Sequence, residues 1–128
     1  DYRLVWSNRL PDISVSMNEK MIRRVFANLI GNAVRYRKND DLEVTLEASV
    51  RKREAVFAVG DNGAGVPEEE REAIFHKFYR VEKSRQRQYG GTGLGLAICR
   101  LIVEQHGGSI HAERSPAGGL LIVFTIPL

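Results

Sequence analysis

The feature that most narrows the possible folds is a change of hydrophobic period early in the chain. Ile22, Val25, Leu29, Ala33 and Tyr36 recur at intervals of three and four, the signature of an amphipathic helix of about 18–20 residues. Shortly afterwards the period drops to two. Leu42, Val44, Leu46 and Ala48 fall on one face of a strand spanning Leu42 to Val50. Ala55 to Gly60 reads as a second strand, and the charged turn Arg51-Lys52-Arg53-Glu54 joins the two as a hairpin. A one-faced helix beside a hairpin predicts an α+β fold, with the strands gathered into one sheet and the helices on one side of it.

The remaining elements follow from local signals. Arg3 to Trp6 and Ile13 to Val15 read as short strands around a turn at Leu10-Pro11-Asp12. Ser16-x-x-Glu19 forms a possible capping box for the first helix, with Asn18 as a competing cap. Pro67-Glu68-Glu69-Glu70 has the acidic first turn of a helix running to about Phe75. Leu94 to His106 reads as a helix with Leu94, Ile98, Leu101 and Ile102 inward, stopped by Gly107-Gly108. Ser109 to Glu113 and Leu120 to Ile126 are closing strands around a turn at Ser115 to Gly119. With 128 residues, no repeat and no linker, residues 1–128 form one domain.

Charge and composition exclude several functions. The net charge is +3, but Lys77, Arg80, Lys83, Arg85 and Arg87 are opposed in their stretch only by Glu82. That stretch alone carries +4, so the rest totals −1. This is one basic loop on a nearly neutral body, which argues against a nucleic-acid binder. The longest apolar run, Leu120 to Phe124, is far below the ~20 residues of a membrane span, and no secretory signal opens the sequence. The expectation is a cytoplasmic domain without direct membrane contact. Cys99, the only cysteine, lies in an apolar helical run and reads as a small core residue. His76, His106 and His111 are not at metal-ligand spacing, and no Cys/His cluster suggests zinc.

Three pieces carry chemistry. Asn28, Asn32 and Arg35 lie within about 60° of one another on the first helix, beside its apolar face. Such a stripe is ordinarily a solvated edge. Yet asparagine disfavours helix interiors, and its carbonyl oxygen suits Mg²⁺, which also takes phosphate oxygens. Asp61 ends an apolar strand and opens a loop containing Gly63 and Gly65. It reads as a turn cap, or as a carboxylate that accepts the exocyclic amine of adenine and rejects the keto group of guanine. Gly90-Gly91-Thr92-Gly93-Leu94-Gly95-Leu96 runs into a helix start, where free N–H groups and the helix dipole favour an anion. It is neither a P-loop nor a dinucleotide fingerprint, and no kinase H-R-D or D-F-G accompanies it. The basic loop beside it could supply cations. Together the pieces describe one ATP-Mg²⁺ pocket.

The order of these pieces resembles the catalytic, ATP-binding domain of bacterial sensor histidine kinases, in the wider GHKL group. Asn28-Leu29-Ile30-Gly31-Asn32-Ala33 looks like the N box, and Asp61-Asn62-Gly63-Ala64-Gly65 like the first glycine box. Ile74-Phe75-His76-Lys77-Phe78-Tyr79-Arg80 looks like the F box, and Gly91-Thr92-Gly93-Leu94-Gly95-Leu96 like the second glycine box. The resemblance covers nearly the whole chain. It implies a Bergerat fold: a two-layer sandwich with a mixed, mostly antiparallel sheet, about three helices on one face and a flexible ATP lid. It implies Asn32 as the Mg²⁺ ligand assisted by Asn28, Arg35 on the phosphates and Tyr36 beside the adenine. Asp61 would accept the adenine amine, with Gly63 and Gly65 along the base. Arg80 and Lys83 would hold phosphates together with Gly91, Thr92, Gly93, Leu94 and Gly95, and Asn28, Asn32 and Arg80 would be the catalytic positions. Phe75 and Phe78 would pack the root of the lid, which is expected to be mobile across Val81 to Gly91 without nucleotide.

Two departures stand out. Leu120 follows Gly119 where relatives often carry a small hydroxyl residue, and Asn39-Asp40-Asp41 lacks the usual Pro/Gly turn. One position separates classes within the group. ATP-hydrolysing relatives such as the gyrase, mismatch-repair and heat-shock ATPases carry a glutamate base four residues before the metal asparagine. Here that residue is Asn28, and losing a general base costs ~10²–10⁴ in rate. Transfer to a nucleophile activated elsewhere is therefore favoured over hydrolysis. No histidine sits in a phosphoacceptor context, which implies an acceptor on a separate dimerisation and histidine-phosphotransfer domain, with a response regulator downstream. Anti-sigma serine kinases and a regulatory module that has lost transfer are the competing readings.

Overall fold

The computed structural model describes residues 2–11, 15–79 and 93–128. Five strands form one sheet in the order β1-β2-β3-β5-β4. They are β1 (Arg3–Asn8), β2 (Glu43–Arg51), β3 (Glu54–Asp61), β4 (Ile110–Arg114) and β5 (Leu120–Pro127). β1 pairs in parallel with β2, and the other neighbours are antiparallel. The sheet is thus mixed and mostly antiparallel, as the sequence implies. Among the described residues two α-helices, α1 (Glu19–Arg35) and α2 (Gly95–Gln105), pack on one another and on the sheet.

The alternation in β2 decides which face is covered. Ala48 stands opposite Phe57, Phe57 opposite Phe124, and Phe124 opposite Ile110, so one apolar row crosses four strands. All four residues are buried. Phe26 of α1 descends onto this row, its ring centroid 5.7 Å from that of Phe57 and 5.3 Å from that of Phe124. Ile22, Val25, Leu29 and Ala33 of α1 and Cys99, Ile102 and Val103 of α2 complete the core.

Several local expectations change. Arg3 to Trp6 is a strand, but it extends to Asn8 and does not form a local hairpin. Its partner is β2, about forty residues away, so β1, α1 and β2 form a parallel crossover. Val15 is not in a strand, and Ile13 lies outside the described residues. Asn18 wins the contest for the α1 cap: its Oδ1 accepts from the Met21 N–H at 3.1 Å. The expected helix from Pro67 to Phe75 is two 3-10 turns, Glu68–Glu70 and Ala73–Phe75. Leu101 faces out at 56% exposure, because Cys99, Ile102 and Val103 form the buried stripe of α2. The β2–β3 hairpin closes through Lys52 and Arg53, both left-handed, with Arg51 opposite Glu54.

Candidate functional site

Asp61 stands at the end of β3 and is nearly buried. Its Oδ1 accepts from the Gly63 N–H at 2.9 Å and from the Leu120 N–H at 3.1 Å, while its carbonyl accepts from the Gly119 N–H at 3.2 Å. One carboxylate oxygen is therefore occupied by backbone donors, and Oδ2 remains to accept from a ligand. Burial raises the carboxyl above the ordinary aspartate value, and the bonds from Gly63 and Leu120 oppose the rise.

Gly119 is the residue that sequence reading missed here. A Cβ at this position would meet Asp61 Oδ1 at 2.1 Å and the Gly63 nitrogen at 2.5 Å. No side chain fits, so the turn before β5 must be bare for the Asp61 bonds to form. The signal was present as the pair Gly118-Gly119 just before a strand. Leu120, the departure noted above, contributes its backbone N–H rather than its buried side chain.

The Asp61 loop abuts the C-terminal end of α1. A Cβ on Gly63 would lie 3.0 Å from the Tyr36 carbonyl oxygen. Tyr36 is the C-terminal cap of α1, and its carbonyl abuts the loop. Gly65 lies against Gly118 and Gly119. Asp61, Gly63, Gly65 and Tyr36 thus share one corner of the molecule.

The polar stripe of α1 leads away from that corner. Asn28, Asn32 and Arg35 are all half-buried. The Asn28 Nδ2 donates to the Gly95 carbonyl in a long bond of 3.4 Å. A carbonyl only accepts, so the amide faces it with nitrogen, and its Oδ1 is not the atom used in this bond. Gly95 opens α2, whose N-terminal cap, Leu94, makes no side-chain cap bond. α1 therefore meets the first glycine loop at Tyr36 and the second at Asn28, eight residues or about 12 Å apart along the helix.

Gly93 returns the chain to the site against the F-box segment. The Phe78 N–H donates to the Gly93 carbonyl at 2.8 Å, and a Cβ on Gly93 would lie 2.9 Å from the Phe78 Cα. Both residues are left-handed. Phe75 is buried, beneath the Arg100 guanidinium at 5.9 Å, and Arg100 also bonds Glu72 at 2.8 Å. Phe78 does not pack as expected: its left-handed backbone turns the ring outward, to 67% exposure. The Tyr79 hydroxyl donates to Glu70, which pushes its pKa up to about 12. Arg80, Lys83, Gly91, Thr92 and the loop expected to be mobile lie outside the described residues.

Cys99 lies in the core and His106 at the end of α2. Cys99 is fully buried, its thiol donating to the Val25 carbonyl at 3.7 Å, and burial pushes its pKa up to about 12. His106 caps α2.

Residues 17–128 match the family of histidine kinase-, DNA gyrase B- and HSP90-like ATPases. The chain belongs to this family. Within it, this ATPase domain is 40% identical over 118 residues to the sensor histidine kinase WalK of Bacillus subtilis, covering 91% of this chain and 19% of that protein. The chain spans about a fifth to a quarter of the length of the curated relatives it matches. The nucleotide-free catalytic domain of the histidine kinase ThkA has the same fold, with a TM-score of 0.82, 29% identity, and coverage of 98% of this chain and 78% of that one. ThkA in complex with the response regulator protein TrrA aligns at a TM-score of 0.77 and 26% identity, covering 98% of this chain and 34% of that one. The two-layer α+β fold of the histidine kinase ATP-binding domain is therefore that of this ATPase domain as well. Among the described residues, no helix is long and apolar enough to cross a membrane.

Proposed function

We propose that this domain binds ATP with Mg²⁺ and donates the γ-phosphoryl group to a histidine. The acceptor lies on a separate dimerisation and histidine-phosphotransfer domain of the full-length protein, and a response regulator takes the phosphoryl group onward. The observation that carries the reading is Asp61, held by two backbone donors on Oδ1 with Oδ2 left to accept from adenine N6. Guanine presents a keto oxygen at that position, and two acceptors repel, so adenine is selected. Tyr36, Gly63 and Gly65 flank the base. Arg35, the glycine-rich start of α2 at Gly93, Leu94 and Gly95, and Gly91, Thr92, Arg80 and Lys83 hold the phosphates.

The donor set suits Mg²⁺, a hard cation that takes amide oxygens, phosphate oxygens and water. Asn32 would ligate it with Asn28 assisting, because the Gly95 bond uses the Asn28 amide nitrogen and not its oxygen. When bound, the metal neutralises charge on the phosphate oxygens. The chain's own residues orient the triphosphate and complement its charge with Arg35 and Arg80. The acceptor imidazole nitrogen forms a bond to the γ-phosphorus as the bond to the β–γ bridging oxygen breaks, and ADP leaves. Asn28 takes no proton at neutral pH, which supports transfer over hydrolysis. The reading places the domain in the cytoplasm, where ATP is supplied.

The first test is calorimetric titration of a non-hydrolysable ATP analogue into wild type and Asp61→Asn, with and without Mg²⁺. A charged acceptor bond contributes about 1.5–3 kcal/mol, so the variant should bind roughly 10- to 150-fold more weakly. Unchanged affinity would remove the base from Asp61. Radiolabelled ATP with the separately expressed acceptor domain should then give labelled phosphohistidine. Its absence would favour a nucleotide-binding regulatory module.

A further inference from the structure

The two helices that carry the halves of the site are tied together by polar contacts at three levels. At the site end, Asn28 Nδ2 donates to the Gly95 carbonyl at 3.4 Å. In the middle, the Cys99 thiol donates to the Val25 carbonyl at 3.7 Å. At the far end, the Asn18 N–H donates to His106 Nε2 at 3.0 Å. Residue 18 meets 106, 25 meets 99 and 28 meets 95, so the contacts run as one antiparallel register.

The far contact is the most specific of the three. His106 Nδ1 lies 2.8 Å from the Ile102 carbonyl of its own helix. That carbonyl can only accept, so Nδ1 carries the proton, and Nε2 is left as the acceptor for Asn18. Asn18 in turn caps α1 through its side chain at Met21, and its carbonyl accepts from the Ile22 N–H at 3.0 Å. One imidazole therefore joins the last turn of α2 to the first turn of α1, with both ring nitrogens committed.

We propose that His106 is a positioning residue for nucleotide binding. It holds α2 in the register on α1 that brings Gly95 to Asn28. The proposal rests on the nucleotide reading above. A chain without this contact samples other helix registers, and only the native one presents both halves of the site. Affinity then falls by the fraction of time spent elsewhere. Reciprocally, nucleotide that favours the native register strengthens the distant Asn18–His106 bond.

Three measurements on this domain test it. Imidazole nitrogen NMR of wild type should show the Nδ1–H tautomer of His106; the Nε2–H tautomer overturns the proposal. Amide exchange of Asn18 should slow roughly several-fold more than that of β3 core amides when a non-hydrolysable ATP analogue saturates the site, whereas a bond serving stability alone would slow only in step with the core. Exchange that slows no more than the core at saturation overturns it. By calorimetry, His106→Ala should bind the analogue roughly three- to tenfold more weakly, and His106→Gln, whose amide oxygen can accept from Asn18, should stay within about twofold of wild type. If His106→Ala does not fold, His106→Gln and the exchange measurement still decide. No binding by wild type would overturn the nucleotide reading together with this one. Full-affinity binding by His106→Ala would overturn this one alone.

Discussion

The two ends of the site differ in how completely they are built before a ligand arrives. At the Asp61 end, two backbone bonds of 2.9 and 3.1 Å fix the carboxylate, and Gly119 is pressed so close that no Cβ fits. At the Asn28 end, the bond from Asn28 to Gly95 is long, at 3.4 Å, and a Cβ on Gly95 would touch nothing nearer than 3.9 Å. The base is a rigid, flat group of fixed pattern, and a preformed wall recognises it without further ordering. A hydrated cation and a triphosphate require room to settle. The comparison assigns selectivity to the Asp61 end and adjustment to the Asn28 end.

The largest effect should come from adding one methyl group to each end. Gly119→Ala drives a Cβ into Asp61 Oδ1, and the wall must move or the domain unfold. The loss expected is ~3 kcal/mol or more of stability, read by urea denaturation. Gly95→Ala should stay within about 0.5 kcal/mol of wild type. Equal losses would erase the distinction between the two ends.

Asp61→Asn sharpens it. Burial raises the folded pKa of Asp61 above its unfolded value. Stability from this group is therefore full below the unfolded pKa and is lost as pH rises through the folded one. At neutral pH the buried carboxylate opposes folding, while serving the ligand. The amide keeps an oxygen for Gly63 and Leu120 but turns N–H toward the adenine amine. The variant should melt at or above wild type at pH 7, with the advantage shrinking on acidification, although its nucleotide affinity falls. A lower melting temperature across that range would mean that the carboxylate supports the fold itself.

Much of this arrangement is legible in the sequence because it is local. The α1 period and the alternation in β2 are patterns within short windows, and both elements fall where their windows indicate. What escaped depends on partners far along the chain. β1 looked like half of a local hairpin because nothing near Arg3 names β2 as its neighbour. The acidic run Glu68 to Glu70 signals a helix start, but no apolar face of helical period follows it, and the segment stops at 3-10 turns. Asp61 was legible as a strand-end carboxylate, whereas its dependence on Gly119 was not, since a contact across 58 residues leaves only a bare glycine pair in the sequence.

Leu101 gives the smallest effect. Its helical spacing points inward, yet no element covers it among the described residues, and it is 56% exposed. Leu101→Lys should change stability by less than about 0.5 kcal/mol. A loss of ~2 kcal/mol or more in thermal denaturation would instead place it in the packed face between α2 and the sheet.

Trp6, the only tryptophan in the sequence, sits on the edge strand β1 and is 54% exposed. Its emission is thus a built-in optical reporter for one border of the sheet. β1 is paired on one side alone, and a strand so held opens at lower free energy than the centre. An unfolding curve followed by fluorescence would record that border coming away, while circular dichroism would record the whole sheet. A gap between the two midpoints would measure how independently the edge lives.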